Sequence, residues 1–126
     1  MNYKVIVETK PQDSPQSHEM RAALILANYF ECDVHFLRPE SYKTPDLLID
    51  GSTWEIKSPM GNSKKTMENN LRSAKKQSRN IIIDMSRCKM NFNRAISRIN
   101  YYLNTENHQI QHLKIIEKSG KVIDIR

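Results

Sequence analysis

The stretch from Pro45 to Pro59, PDLLIDGSTWEIKSP, constrains this chain more than any other. Two short apolar runs, Leu47-Leu48-Ile49 and Thr53-Trp54-Glu55-Ile56, flank Asp50-Gly51. An Asp-Gly pair between such runs is the strongest short-range hairpin signal a sequence carries. Side chains alternate across a strand, so Trp54 and Ile56 leave one face toward a core while Glu55 and Lys57 leave the other. Asp46 stands at the mouth of the first strand. One face of a buried hairpin thus collects two carboxylates and an ammonium, which are costly there unless they pair, bind a metal or do chemistry.

The rest of the chain supplies partners for that hairpin. Residues Tyr3 to Glu8 alternate as a short strand, and Lys10 to Ser17 read as loop. Glu19 to Phe30 is predicted as a helix, apolar nearly all round through Ala22-Ala23-Leu24-Ile25-Leu26-Ala27 and so buried against a sheet. Ser17 is its expected cap, with Met20 where a full capping box has Glu or Gln. Asp33 to Leu37 is a strand, followed by a polar loop through Thr44. A turn at Pro59 to Ser63 leads to a helix over Lys64 to Ser78, with Met67, Leu71, Ala74 and Ser78 on its inner stripe. Asn80 to Met85 reads as a buried central strand, Asn91 to Leu103 as a third helix, and the end from Leu113 as a hairpin turning at Ser119-Gly120. The expectation is a single α/β domain over residues 1–126, a mixed sheet flanked by helices.

At 126 residues, 38% apolar and 27% charged, the chain can bury a core of its own. No stretch approaches the roughly 18 apolar residues of a membrane span, and Met1-Asn2-Tyr3-Lys4 lacks the layout of a signal peptide. The two cysteines, Cys32 and Cys88, make neither a disulfide framework nor a metal cluster. The expected place of action is the cytoplasm. Net charge is +6. Between Lys57 and Arg79 lie seven Lys or Arg and one acidic residue, Glu68, a distribution suited to a phosphate backbone.

Two carboxylates and a lysine so arranged suit phosphodiester cleavage. Asp46 and Glu55 could hold Mg²⁺ through oxygen ligands, and Lys57 could orient a water or offset transition-state charge. An isolated ExK on a strand is commonly solvated, and Asp50 serves as the turn residue; the conjunction on one hairpin beside a basic helix favours the functional reading. Glu19 is expected to bring its carboxylate to those of Asp46 and Glu55 within a metal's reach. His18 is either a general acid or base or a surface residue. Ser58, Asn62, Ser63 and Thr66 either bind phosphate with the N-terminus of the second helix or act as turn and cap residues. Lys64, Lys65, Arg72, Lys75 and Lys76 supply backbone attraction to nucleic acid. Gln77 reads as a solvated helix end, His108, His112 and Cys88 as structural or surface residues, and at least one of Tyr101 and Tyr102 as core rather than a base-stacking platform.

Pro45-Asp46 and Glu55-Ile56-Lys57 resemble the PD-(D/E)xK nuclease signature. The order helix, three strands, helix, strand from Glu19 to Met85 looks like that superfamily's core, here with an extra C-terminal helix and hairpin. Glu19 occupies the place where these nucleases often carry a further acidic residue. More narrowly, His18-Glu19, Pro45 to Leu48, Trp54 to Pro59 and Asn80 to Asp84 are similar to C-terminal tRNase domains of CdiA-type contact-dependent growth inhibition toxins. The resemblance implies a tRNA-cleaving ribonuclease, metal-assisted by Mg²⁺, with a cognate immunity protein. The chain starts without the long delivery region of such toxins, and so reads as free-standing or excised. A DNA endonuclease of the same fold, or a non-catalytic binding module on it, are the alternatives.

Overall fold

The computed structural model describes residues 2–41 and 43–126. Met1 of the N-terminal tetrapeptide and Tyr42 of the polar loop lie outside the described residues. In chain order the elements are β1 (Val5–Val7), a 3-10 turn at Pro11–Asp13, α1 (Ser17–Phe30), β2 (Val34–Phe36), β3 (Leu47–Ile49), β4 (Ser52–Lys57), α2 (Thr66–Ala74), β5 (Asn80–Asp84), α3 (Phe92–Thr105), β6 (His112–Ile116) and β7 (Val122–Asp124). The strands form one seven-stranded sheet in sequence order. β1 runs parallel to β2, β2 to β4 form an antiparallel meander, β4 to β6 are parallel, and β7 closes antiparallel to β6. Every parallel step encloses a helix, as a crossover between parallel strands requires.

The Asp50-Gly51 turn forms as expected. Asp50 at φ 49° and Gly51 at φ 80° both occupy the left-handed region, the signature of a tight hairpin turn whose twist matches its strands. It pairs Leu47 with Trp54 and Ile49 with Ser52. Nothing lies within 4 Å of a Cβ placed on Gly51, so the demand on that residue is one of backbone conformation alone.

Helices cover both faces. α1 packs Ala22, Ala23, Leu26 and Ala27 onto Val34, Phe36, Leu47, Ile49, Trp54, Ile82 and Ile116. On the opposite face Met67, Leu71 and Ala74 of α2 and Ala95, Ile99 and Tyr102 of α3 pack onto Ile81, Ile83, Leu113 and Ile115. β5 feeds both cores through alternate side chains, which is why its run of isoleucines reads as central. Tyr102 is fully buried while Tyr101 is 53% exposed, so the tyrosine pair divides between core and surface. Both cysteines are unbridged.

Three expectations change. α1 is not buried all round: Leu24 and Tyr29 are exposed, because with a sheet on one side only the Ala22/Ala23/Leu26/Ala27 stripe is covered. Its cap is Gln16 rather than Ser17, and the capping box is complete, with Glu19 rather than Met20 at the third helical position. The second helix is shorter than 64–78, with Lys65 at its N-cap and Lys75 at its C-cap. Ser78 turns out of the helix and its hydroxyl donates to the Thr53 carbonyl (3.1 Å), tying the α2–β5 connection to the hairpin. Replacing Gly51 by Ala forces a Cβ into the left-handed region and should cost about 1–2 kcal/mol, visible as a lower urea midpoint at an unchanged slope.

Candidate active site and the family it belongs to

The hairpin register continues one step beyond Leu47–Trp54 and places Asp46 beside Glu55. The Asp46 amide donates to Glu55 Oε1 (3.2 Å), and the Ile56 amide donates to Asp46 Oδ2 (3.3 Å). Each carboxylate is thereby held by the backbone of the opposite strand. Glu55 is only 1% exposed. Lys57, one pleat further along, sits 3.1 Å from Glu55 Oε2 and donates to Gln77 Oε1 at 3.1 Å. Gln77 in turn donates to the Thr44 carbonyl (3.5 Å), so a side chain read as a solvated helix end is part of the network that orients Lys57. The shortened α2 makes this possible, since Gln77 lies on the turn after the helix rather than on its outer surface.

Burial raises the Glu55 carboxyl to about 8, reinforced by the Asp46 charge and a side-chain hydrogen bond with Asp46, with Lys57 opposing. The Asp46 carboxyl is also raised, first by burial and also by the Glu19 charge, against the Glu55 hydrogen bond, the Ile56 amide and Lys57. Two carboxyls pressed together out of water cannot both ionise freely, so near neutrality the pair retains a proton.

Glu19 does not complete a three-carboxylate cluster. Its Oε1 accepts the Gln16 amide (2.8 Å) in the capping box, and its effect on Asp46 is through charge. Among the described residues no group of three or more His, Cys, Asp or Glu could hold a metal. Instead His18 and Glu19, at the first turn of α1, line a cleft of about 160 Å³ with Lys57, Ser58, Asp84 and Arg87 at the ends of β4 and β5. Lys57 is therefore shared between the carboxyl pair and the cleft. Arg87 donates from Nε to Ser58 Oγ (3.2 Å) and from Nη2 to the Ser58 carbonyl (3.3 Å). Asp84 is fully buried and accepts from the Ser86 amide and hydroxyl. From sequence, Asp84 enters only as the end of a stretch similar to the toxin family, with no role in the site, and Arg87 has no role; the local sign for Asp84 is a charged residue in an otherwise apolar central strand.

The remaining expected nucleic-acid ligands are spread out. Asn62 accepts from Arg94 through its side chain (3.0 Å). Ser63 and Thr66 bond to each other at the start of α2, hydroxyl to hydroxyl at 3.0 Å, with the Ser63 amide also donating to Thr66. Lys64, Lys65 and Lys76 are exposed. Arg72 lies 3.8 Å from Glu106, and Lys75 donates to the Asn107 carbonyl (3.0 Å). The basic segment thus divides into outward-facing lysines and side chains that bind α2 to α3. His108, between Leu103 and Ile110, bonds through both ring nitrogens and is structural.

The family model described as the contact-dependent growth inhibition CdiA C-terminal domain matches residues 43–122, which contain the whole β3–β4 hairpin and β5, the strand paired to β4, but not α1 or β2. The chain belongs to that family. A chain of the CdiA-CT/CdiI toxin and immunity complex from Burkholderia pseudomallei is similar in fold, with a TM-score of 0.68 and 20% identity over 95% of this chain and 98% of that one. No curated protein matches the sequence. Family membership makes this a growth-inhibition toxin domain; no helix among its described residues is long and apolar enough to cross a membrane.

For a raised carboxyl the folded state binds the proton more tightly than the unfolded chain. The Glu55 contribution to stability is therefore greatest below about pH 4.5, the usual glutamate range, and is lost as pH rises toward about 8. In chelated buffer the urea midpoint of the wild type should fall between pH 5 and 8 more steeply than that of Glu55→Gln, which lacks the titrating group; parallel profiles would contradict the raised carboxyl.

Proposed function

We propose that this CdiA-family domain is a ribonuclease that cleaves tRNA phosphodiester bonds, using a PD-(D/E)xK-type centre built from Asp46, Glu55 and Lys57. The observation that carries the reading is the ammonium of Lys57, held at 3.1 Å by both Glu55 and Gln77 while lining the open cleft beside His18, Glu19 and Arg87. A fixed cation at the edge of a water-accessible cleft is suited to a phosphate on which negative charge accumulates. Arg87 at the same cleft offers a planar guanidinium, which matches phosphate oxygens in pairs. His18 lies where it can exchange a proton with a water or a leaving oxygen.

The donor set fits Mg²⁺. That ion is commonly held by one or two carboxylates, with waters and substrate phosphate completing the shell. Asp46 and Glu55 present two hard oxygen ligands, both raised first by burial and Glu55 also by the Asp46 charge, and a divalent cation would favour their ionised forms. When bound, the ion polarises a phosphoryl oxygen and acidifies a coordinated water. The chain's own part is to keep the two carboxylates in register through the hairpin amides, to neutralise phosphate charge through Lys57, and to orient Lys57 through Gln77.

Acting on tRNA places the toxin in the cytoplasm of a target cell. The structurally similar chain comes from a toxin and immunity complex, and we extend that pairing to this domain: a cognate immunity protein protects the producer. Lys64, Lys65 and Lys76 supply attraction to the RNA backbone, which makes binding fall as salt rises.

Purified protein incubated with total bacterial tRNA, with Mg²⁺ or with EDTA, tests the reading. Discrete fragments are expected with Mg²⁺, reduced by about 10²-fold or more in Lys57→Ala and less severely in Gln77→Ala, which releases the lysine without removing it. Intact tRNA beside cut duplex DNA would transfer the centre to a DNA endonuclease, and intact nucleic acid of both kinds would reject the nuclease. Separately, tRNA affinity of a Lys64→Glu/Lys65→Glu protein should respond less steeply to salt than that of the wild type; equal slopes would remove those lysines from the interface.

A further inference from the structure

A second, larger cleft of about 550 Å³ opens on the other side of the segment that follows β5. Its volume falls in the range of about 300–1,000 Å³ usual for sites that enclose small ligands. Met85, Met90 and Phe92 supply apolar lining, Lys89 and Lys118 contribute ammonium groups, and Glu117 contributes a carboxylate. Met85 and Met90 are almost fully buried in the core beneath, while Lys89 and Lys118 are exposed at the rim.

Both walls are fixed before anything binds. The Cys88 amide donates to the Met85 carbonyl (3.1 Å), closing a turn, and the Cys88 thiol reaches the Gly61 carbonyl (3.4 Å). Asn91 caps α3 by accepting from the Asn93 and Arg94 amides. Across the cleft, the Glu117 amide donates to the Lys121 carbonyl (2.8 Å) in the β6–β7 turn, and Arg21 of α1 donates to the Lys118 carbonyl (2.9 Å).

The lining chemistry describes its occupant. Methionine and phenylalanine offer a polarisable surface on which a flat ring can lie. Exposed lysines at the rim suit phosphates on either side of that ring. A carboxylate accepts hydrogen bonds and donates none at neutral pH, so the group that meets Glu117 carries N–H or O–H donors and no negative charge, and N–H donors on a flat ring satisfy this together with the apolar lining. An unstacked nucleobase within a phosphodiester chain meets all three conditions, and single-stranded RNA is read in this way, by stacking and by its base edges. Guanine presents two neighbouring N–H donors on one edge, the arrangement that two carboxylate oxygens accept together, whereas uracil presents one flanked by carbonyls.

The position agrees with the chemistry. Asp84 and Arg87 line the candidate catalytic cleft, and Met85, Lys89 and Met90 line the second one. The two clefts share the segment 84–90 as a wall, so they are neighbours on the surface.

We propose that the cleft bounded by Met85, Phe92 and Glu117 receives an unstacked base of the RNA substrate beside the bond to be cut, with Glu117 selecting guanine. The identity of the ligand as RNA rests on the ribonuclease reading above; the pocket's base-binding chemistry is tested without cleavage. The probe is the Lys57→Ala protein carrying ¹³C-methyl methionine, titrated with GMP, UMP and ribose 5-phosphate.

The Met85 and Met90 methyl signals should move with GMP and stay still with ribose 5-phosphate. GMP should bind about tenfold tighter than UMP, the lower part of the range for a bidentate base contact, and Glu117→Gln should bring that ratio close to one while the methyl shifts persist. Still methyl signals with every nucleotide would overturn the proposal. So would equal shifts with ribose 5-phosphate, or a GMP-to-UMP ratio unchanged in Glu117→Gln. Wild-type protein that cuts tRNA while its Lys57→Ala form shows no base-dependent shift would reject the pocket alone. Base-dependent shifts in a protein that cuts no RNA would reject the ribonuclease reading and keep the pocket.

Discussion

Two carboxyls side by side in a nearly dry hairpin face are the interaction on which the rest of this structure turns. Their repulsion and desolvation oppose folding, and the chain offsets them locally rather than by distant charge. The amides of Asp46 and Ile56 each donate across the hairpin to the opposing carboxylate, and Lys57 stands beside Glu55. Such compensation works only if the strand register is correct, because a slip of one residue would send Glu55 and Lys57 to the α1 side and Trp54 to the other. The tight Asp50-Gly51 turn sets that register, and Trp54 within the α1 core holds it.

The sheet converts this local arrangement into an open site. β4 ends the antiparallel meander and begins the parallel run. At the ends of β4 and β5 the chain leaves the sheet toward α2 and α3, and the space between these departures is lined from the side by the first turn of α1. Lys57 occupies the boundary, bonded inward to Glu55 and Gln77 and facing the cleft. The helices that build the cores thereby also position the walls: α1 through its apolar stripe, α2 through the turn that delivers Gln77, and α3 through the capped start that bounds the second cleft.

The fold was legible wherever a local rule sufficed. Asp-Gly announced the hairpin, the isoleucine run announced the central strand, and helical spacing announced Met67, Leu71 and Ala74 as an inner stripe. Legibility failed where tertiary contacts decide. Six consecutive apolar residues in α1 look uniformly buried, yet a helix with a sheet on one side buries one stripe. Gln77 looks solvated because its value comes from Lys57, twenty residues earlier. Glu19 sits on the expected helix, but the capping box takes one of its oxygens, a choice made by Gln16 as N-cap that residue type alone did not announce. Asp84 and Arg87 join the cleft through pairing of β4 with β5, a relation across the sheet that no short window contains.

Arg21 ties the second turn of α1 to the β6–β7 turn through the carbonyl of Lys118, a partner ninety-seven positions away. That one bond spans nearly the whole chain, and it joins the helix carrying His18 and Glu19 to the last hairpin. The helix that lines the cleft is thus fastened at two places, by its apolar stripe on β2 to β4 and by Arg21 on the last turn of the sheet. A change in the β6–β7 turn therefore has a direct mechanical route to the helix whose first turn, with His18 and Glu19, lines the cleft.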